Sequence, residues 1–487
     1  MANRKKPFQD SSSYRSYQSP LVSRYADQAM IYNFSTEHKF RTWRQIWIAL
    51  AESEHELGLP ISQTQINQMK RVRDRFNYPK AARYEQALKH EVMAHIKLYG
   101  DYCPKAKPII HLGATSALVT DNADLIIYRD ALRLIKIGLV NIINSLTRFA
   151  NRYKNLPVLG LTHFQPALLT TLGKRATLWL NDLVMDLTNL EYLESNIKLL
   201  GAKGAIGTQA SFLALFNGND NKVLKLDRLL AKKLGFKKSY AITGQTYPRK
   251  LDYTILSVLS GIAQSASKFS NDLRLLQGRG ELTEIFTSQQ VGSSAMAHKR
   301  NPIRAERITS LARFVITLPQ NAALTSACQW LERTLDDSAN RRIVIPEAFL
   351  ATDGLLNVYS YLASDLKVYP EIIKQNIQHE LPFLVMETIL MKGVQAGGDR
   401  QALHERIRRH SLKSYQNIKQ GLSNNLITLI HKDPAFGKIT KQLVNLLDPK
   451  NHIGLAPRQV TDFIRFEVKP LLRKYRNPVD SKTQLRV

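Results

Sequence analysis

Ile255-Leu-Ser-Val-Leu-Ser-Gly-Ile-Ala-Gln-Ser-Ala-Ser-Lys-Phe-Ser-Asn-Asp-Leu-Arg-Leu-Leu276 decides the fold class. Its apolar residues Ile255, Leu259, Ile262, Ala266, Phe269, Leu273 and Leu276 recur in alternating steps of four and three. That pattern lays a single seam along a helix, as in helices that bury themselves against other helices. A second seam reads Ala176, Leu180, Leu183, Leu187, Leu190 and, past Glu194, Ile197. No glycine or proline falls between Arg175 and Leu200, so at about 1.5 Å per residue this helix would run roughly 40 Å. A third long helix is expected from Asn122 through Arg152, and a shorter one from Phe40 to Leu57, stopped by Gly58-Leu-Pro60. Alternating strand patterns are scarce. The expectation is an all-α fold around a long central bundle. Three such helices cannot cover every seam in one protomer, so association between protomers is expected as well.

The chain has 487 residues, enough for two or three domains. The expected divisions are a flexible arm over 1–20, a helical domain over 21–115, the central bundle over 116–368 and a C-terminal helical domain over 369–487. The tail from Lys474 is polar and expected to be loosely held. The polar, charged N-terminus lacks the apolar core of a secretion signal, and no apolar run is long enough for a membrane. Two cysteines, Cys103 and Cys328, fit a reducing cytoplasm and read as small buried hydrophobes. Lysine and arginine exceed aspartate and glutamate by 69 to 40, a net charge of +29. A small anionic ligand needs only a handful of those cations. The rest reads as a solvated basic surface, and specific nucleic-acid binding is not expected.

Chemistry concentrates in Gln290-Val-Gly-Ser-Ser-Ala-Met-Ala-His-Lys-Arg-Asn-Pro302. Gly292 permits a sharp turn or a close approach, and Ser293 and Ser294 put hydroxyls on it. Lys299 and Asn301 suit a carboxylate, and Pro302 sets up a helix start. Two further polar stretches stand out. In His111-Leu-Gly-Ala-Thr-Ser-Ala117, the hydroxyls of Thr115 and Ser116 sit at a helix start and serve either as a plain cap or to hold an oxyanion. Leu161-Thr-His-Phe-Gln-Pro-Ala167 puts His163 among a hydroxyl and an amide ahead of a helix. His90 and His95 are five apart and do not share a helix face, so no metal site is read there. The glycines of Gly201-Ala-Lys-Gly-Ala-Ile-Gly207 follow a helix and read as a helix terminator and a ligand-approach loop, lacking dinucleotide spacing.

Gly292-Ser293, Met296, Lys299 and Asn301-Pro302 resemble the signature loop of the fumarase/aspartase superfamily, whose members eliminate fumarate from a succinyl-bearing substrate. Further stretches resemble the adenylosuccinate lyase branch of that superfamily. They include Ser19-Pro-Leu-Val-Ser-Arg-Tyr25, Ile110-His-Leu-Gly-Ala-Thr-Ser116, Thr162-His-Phe-Gln-Pro166, Ile242-Thr-Gly-Gln-Thr-Tyr247 and Gln329 through Arg342. The likeness runs from about residue 19 to about 475. It implies a carbon–nitrogen lyase of purine nucleotide biosynthesis that works without cofactor or metal. By the same resemblance Ser293 is the general base and His163 the general acid, with His90 assisting or holding phosphate. Arg24, Arg307, Arg333 and Arg342 take the phosphate and carboxylates, with Lys89 and Glu91 beside His90. Tyr25, Thr115, Ser116, Thr162, Gln245 and Ser338 add neutral contacts, while Lys299 and Asn301 meet the succinyl carboxylate. It further implies a homotetramer whose sites are shared between protomers.

Two departures stand out. Ala297 replaces the proline of most relatives, and Lys89-His90-Glu91 replaces Arg-His-Asp, losing an arginine fork. The segment 281–300 is expected to move when the site is empty. Rival readings are another superfamily lyase, acting on argininosuccinate or cyclising a muconate, and a non-catalytic basic RNA-binding helical protein.

Overall fold

A computed structural model describes residues 15–286, 290, 292, 294–296 and 298–475 of the chain. The elements that position the candidate site are α1 (Thr36–Glu56), α2 (Tyr78–Leu88), α3 (Glu91–Tyr102), α4 (Ala117–Arg152), α5 (Leu172–Asn196), α6 (Lys250–Gly278), α7 (Ile303–Thr317), α8 (Asp337–Ser364) and α9 (Pro370–Leu384). Shorter helices connect and flank them. No helix among the described residues is long and apolar enough to cross a membrane.

The quoted seam is the core of α6. Each of its seven positions is buried, and the helix packs against α5, α7 and α8. Phe269 stacks on Tyr359 of α8 at 4.3 Å and meets Trp179 of α5 edge-on at 5.2 Å. Each buried Leu, Ile or Phe along the seam contributes on the order of 2 kcal/mol. The second seam is equally buried in α5, from Ala176 to Leu190. Thr171 caps that helix, its Oγ1 accepting from the Lys174 N–H at 3.1 Å.

α5 stops at Asn196, short of the expected Leu200, because its backbone is diverted to new partners. The Leu199 N–H donates to the Lys238 carbonyl at 3.1 Å, and the Tyr240 N–H to the Leu199 carbonyl at 2.8 Å. A third set of apolar residues on α5, Leu178, Met185 and Tyr192, recurs every seven positions, and all three are exposed. This is a helix face that no element of the described chain covers.

Strands are few but one pair matters. β1 (Pro157–Thr162) and β2 (Gln165–Thr171) form an antiparallel hairpin in which Thr162 pairs with Gln165. The stretch around His163, expected as a lead into a helix, is therefore a hairpin tip, and the helix begins only at Leu172. A Cβ at Gly160 would lie 2.8 Å from the Leu168 carbonyl oxygen, so the irregular register there needs glycine. β3 (Leu282–Thr283) and β4 (Lys367–Val368) make a second short pair. Cys103 is buried as expected, whereas Cys328 is exposed. Lys474 and Tyr475 depart from the expected loose tail, since Glu191 of α5 holds both.

Candidate active site

One group of candidates gathers at the N-terminal end of α4. Lys89 closes α2 in the left-handed region (φ 52°), so α3 begins after only one intervening residue. That residue, His90, caps α3 with Nδ1, which accepts from the Met93 N–H at 3.3 Å. With Nδ1 an acceptor, the neutral ring carries its proton on Nε2, 3.5 Å from Ser116 Oγ. Ser116 heads α4 without a side-chain cap bond, so its hydroxyl is not spent on the helix. The Glu91 carboxylate takes Lys39 Nζ at 2.7 Å and Arg342 at 3.3 Å. His90, Glu91, Ser116 and Arg342 thus meet, though they range from residue 90 to residue 342 of the sequence. His111, by contrast, is a structural histidine. Burial, and then the nearby His90, push its pKa down to about 4, and its Nδ1 accepts from the Trp47 indole at 2.9 Å.

Beside this group three loops stack, and glycine makes the stacking possible. A Cβ at Gly207 would lie 2.0 Å from the Thr243 carbonyl oxygen, and one at Gly244 would lie 2.5 Å from that of Glu332. Gln245 links the layers. Its backbone N–H donates to the Glu332 carbonyl at 3.1 Å and its amide to the Ala205 carbonyl at 2.9 Å. This positions Arg333, whose guanidinium donates to Asp337 at 3.3 Å. Ser338 follows on the first turn of α8, half-buried.

Under the stack lies a buried ionic lattice that sequence reasoning did not assign to the site. Arg249 forks onto Asp121 at 3.0 and 3.3 Å and reaches Asp337 at 2.6 Å. Arg341 binds Asp252 at 2.7 Å and Asp124 at 2.9 Å, and the Tyr247 hydroxyl donates to Asp252 at 2.6 Å. Burial disfavours the charge on Arg249, but the surrounding acidic groups, Asp121 first and then Tyr247 and Asp252, together outweigh it and hold the guanidinium above its ordinary pKa. The one available signal was the Asp337/Arg341 pair, four apart and so on one helix face.

A second group sits midway along the bundle. Tyr25 ends a short π-helical turn, Leu21–Tyr25, and packs on α8 at Gly354, where a Cβ would lie 2.7 Å from its own. The Arg307 guanidinium of α7 lies 5.9 Å from the Tyr25 ring centroid, and Arg24 is exposed alongside.

The signature loop is closed on itself. Asn301 donates one amide N–H to the Gly292 carbonyl at 3.1 Å, and a Cβ at Gly292 would lie 2.2 Å from the Lys299 carbonyl oxygen. Gln277 at the end of α6 donates to the Arg300 carbonyl at 2.9 Å. The Glu284 carboxylate accepts from the first-turn N–H groups of Arg304 and Ala305 at 3.2 and 2.6 Å, which suits the positive end of α7. Lys299 is exposed. Ser293 and Ala297 lie outside the described residues, as do 287–289 and 291 within the segment expected to move.

His163 stands apart. It and Phe164 are the two central residues of the hairpin turn, both in the left-handed region (φ 53° and 59°), and with Thr162 they are exposed. The hairpin starts where α4 ends: the Gly173 N–H bonds the Tyr153 carbonyl at 2.9 Å. The 36 residues of α4 span about 54 Å, and six strand residues can recover at most about 20 Å of that. Within one chain His163 therefore stays on the order of 30 Å or more from Ser116. The chain brings His90, Glu91, Ser116 and Arg342 together, with Gln245 and Arg333 beside them. It does not bring His163 to them.

Residues 25–317 match the lyase family, and residues 382–463 match the adenylosuccinate lyase C-terminus. The chain is 48% identical to adenylosuccinate lyase of Saccharomyces cerevisiae over 97% of this chain and 99% of the relative. It is 47% identical to adenylosuccinate lyase of Schistosoma mansoni over 95% of this chain and 97% of the relative. In fold it is similar to 3-carboxy-cis,cis-muconate lactonizing enzyme from Pseudomonas putida (TM-score 0.81, 22% identity, covering 92% and 98% of the two chains). The chain belongs to the adenylosuccinate lyase family and is an enzyme, a lyase.

Proposed function

We propose that this enzyme eliminates fumarate from adenylosuccinate, leaving AMP, and from the succinylaminoimidazole carboxamide ribotide, leaving AICAR, in purine nucleotide biosynthesis. The observation that carries this reading is near-half identity along almost the whole chain to enzymes named for the first reaction. The muconate-cyclising rival rests on 22% identity, which speaks for the fold alone.

The chemistry removes a proton from the succinyl Cβ; the electron pair left there forms the Cα=Cβ bond of fumarate as the Cα–N bond breaks and its pair leaves with nitrogen. Negative charge builds on the adjacent carboxylate and must meet preorganised donors. Ser293 takes the proton, with Lys299 favouring its ionised form. Lys299 and Asn301 receive the carboxylate. His163 delivers a proton to the leaving nitrogen. Arg24, Tyr25 and Arg307 form one anion-holding face. Lys89, His90, Thr115, Ser116, Gln245, Arg333, Ser338 and Arg342 form another, with Glu91 orienting Arg342. No step calls for a metal or cofactor.

The site is then assembled from several protomers of a homotetramer. Two observations support this: the span of α4 between Ser116 and His163, and the uncovered heptad stripe Leu178, Met185, Tyr192. The four domain divisions expected from sequence are kept as part of this reading. The two free cysteines fit a cytoplasmic enzyme.

The direct test supplies purified protein with adenylosuccinate and follows fumarate and AMP. Stoichiometric release is expected, and a Ser293→Ala variant should lose it. Absence of turnover together with steeply salt-dependent RNA binding would favour the non-catalytic alternative instead.

A further inference from the structure

A cavity of about 400 Å³ lies away from every candidate above, between α4, the end of α5, the turn at 235–237 and the Lys474-Tyr475 segment. Its α4 residues, Arg129, Arg133 and Lys136, sit about 20–30 Å along the helix from Ser116. Lys237 and Lys474 add two more cations, against two lining carboxylates, Glu191 and Glu194. Those carboxylates are shared thinly. Glu194 serves both Lys136 and Arg133, the latter at 3.5 Å, and Arg133 also pairs with Asp130 at 3.0 Å. Glu191 serves both Lys474, at 2.9 Å, and the Tyr475 hydroxyl.

The other two cations are Arg129 and Lys237. Arg129 is held in place by the carbonyls of Leu234 and Gly235 at 3.0 and 3.1 Å, lies 4.5 Å from the Phe236 ring centroid, and has Asp130 at 3.1 Å. Lys237 is exposed and has no carboxylate within ion-pair distance among the described residues. A concave wall with surplus positive charge focuses its field on an anion. Its volume falls in the range of small-ligand sites, about 300–1,000 Å³.

We infer that this cavity binds a polyphosphate, either a free phosphate chain or that of a nucleoside triphosphate. Several adjacent negative charges would take up the surplus of these five cations over Glu191, Glu194 and Asp130. An arginine fixed by two carbonyls offers its remaining N–H donors in a set geometry, which suits phosphate oxygens. A monocarboxylate is too weakly charged to offset the surplus.

The test is calorimetry on the full-length enzyme with tripolyphosphate and, separately, ATP. Saturable binding near one per chain is expected, weakening as salt rises. Lys237→Glu, at an exposed position, should leave folding and basal turnover unchanged and weaken binding tenfold or more. Lys136→Gln should weaken it as well. Binding should survive Arg342→Ala, which separates this cavity from the active site. Tighter binding of ATP assigns a nucleotide, and equal binding assigns the phosphate chain alone; both uphold the cavity as a polyphosphate site. No saturation by either compound, binding untouched by Lys237→Glu, or tighter binding of a single-stranded oligonucleotide would overturn it.

Discussion

The two ends of α4 solve the problem of presenting a polar residue in opposite ways. At the Ser116 end, candidate residues rest on a buried lattice in which Arg249 joins Asp121 to Asp337, and Asp337 holds Arg333. At the other end His163 sits on an exposed two-residue turn, both of whose residues are left-handed. The first end is organised within the chain. The second leaves its histidine exposed, where the proposed assembly would set a neighbouring protomer against it. The largest expected effect tests this directly. His163→Gln should lower kcat by about 10²–10⁴-fold while folding normally, the usual range for losing a general acid. Co-expressing it with Ser116→Ala should restore part of the lost activity in mixed oligomers, if one site draws these residues from different protomers. Mixed oligomers no more active than the parents would mean that each chain completes its own site.

At the lattice end the expected loss is of stability as well as of binding. Asp337→Ala removes the acceptor shared by Arg249 and Arg333 and leaves the buried Arg249 guanidinium with Asp121 alone. Breaking a buried pair in this way costs about 3–5 kcal/mol. Asp337→Ala should lower the unfolding midpoint sharply. In preparations that stay folded, KM should rise more than kcat falls, because Arg333 loses its anchor. A melting temperature close to that of the wild type would show that the lattice is not what organises this end.

The same contrast explains what was legible in the sequence. The seams from Ile255 to Leu276 and from Ala176 to Leu190 were readable because burial repeats with the period of the helix. The residues around Ser116 were readable because they sit at turns and helix starts, where polar side chains have few other uses. The lattice was not readable: Arg249, Asp121 and Arg341 look like ordinary charges until tertiary packing buries them. Nor was the hairpin, since Leu161-Thr-His-Phe-Gln-Pro lacks the Asn-Gly or Asp-Gly that usually signals two left-handed turn residues. Cys328 was misjudged because composition favours buried cysteine, whereas its position at the end of helix Pro319–Ala327 leaves it exposed. Ser293, which carries the chemistry in the proposed reading, lies outside the described residues.

A carboxyl without a lattice sharpens the comparison. Glu54 of α1 is fully buried, and neither oxygen has a hydrogen-bond partner among the described residues. Burial pushes its pKa up to about 9. With the folded value above the unfolded one, its contribution is most favourable below about pH 4.5 and is lost progressively as pH rises toward 9. Within that window the expected loss approaches about 1.4 kcal/mol per pH unit. Denaturant unfolding of wild type and Glu54→Gln between pH 5 and 8.5 should therefore give curves that diverge with rising pH, the variant gaining. Parallel curves would mean that Glu54 has a partner or reaches water.

The smallest expected effect concerns the hairpin tip, and its sign depends on assembly. A non-glycine residue in the left-handed region costs about 1–2 kcal/mol, so Phe164→Gly relieves strain. It also removes a ring that is 48% exposed in the single chain, and so already forfeits on the order of 1 kcal/mol of burial. In a separated protomer the two terms nearly cancel. If a neighbouring protomer covers the hairpin, the exposed half of the ring is buried there too, and the substitution costs about 1 kcal/mol more. Chemical unfolding of Phe164→Gly should accordingly match the wild type at protein concentrations where protomers are dissociated and fall below it where they are assembled. A difference between variant and wild type that does not depend on concentration would mean that the tip stays in solvent, and that His163 reaches its substrate without a neighbouring subunit against it.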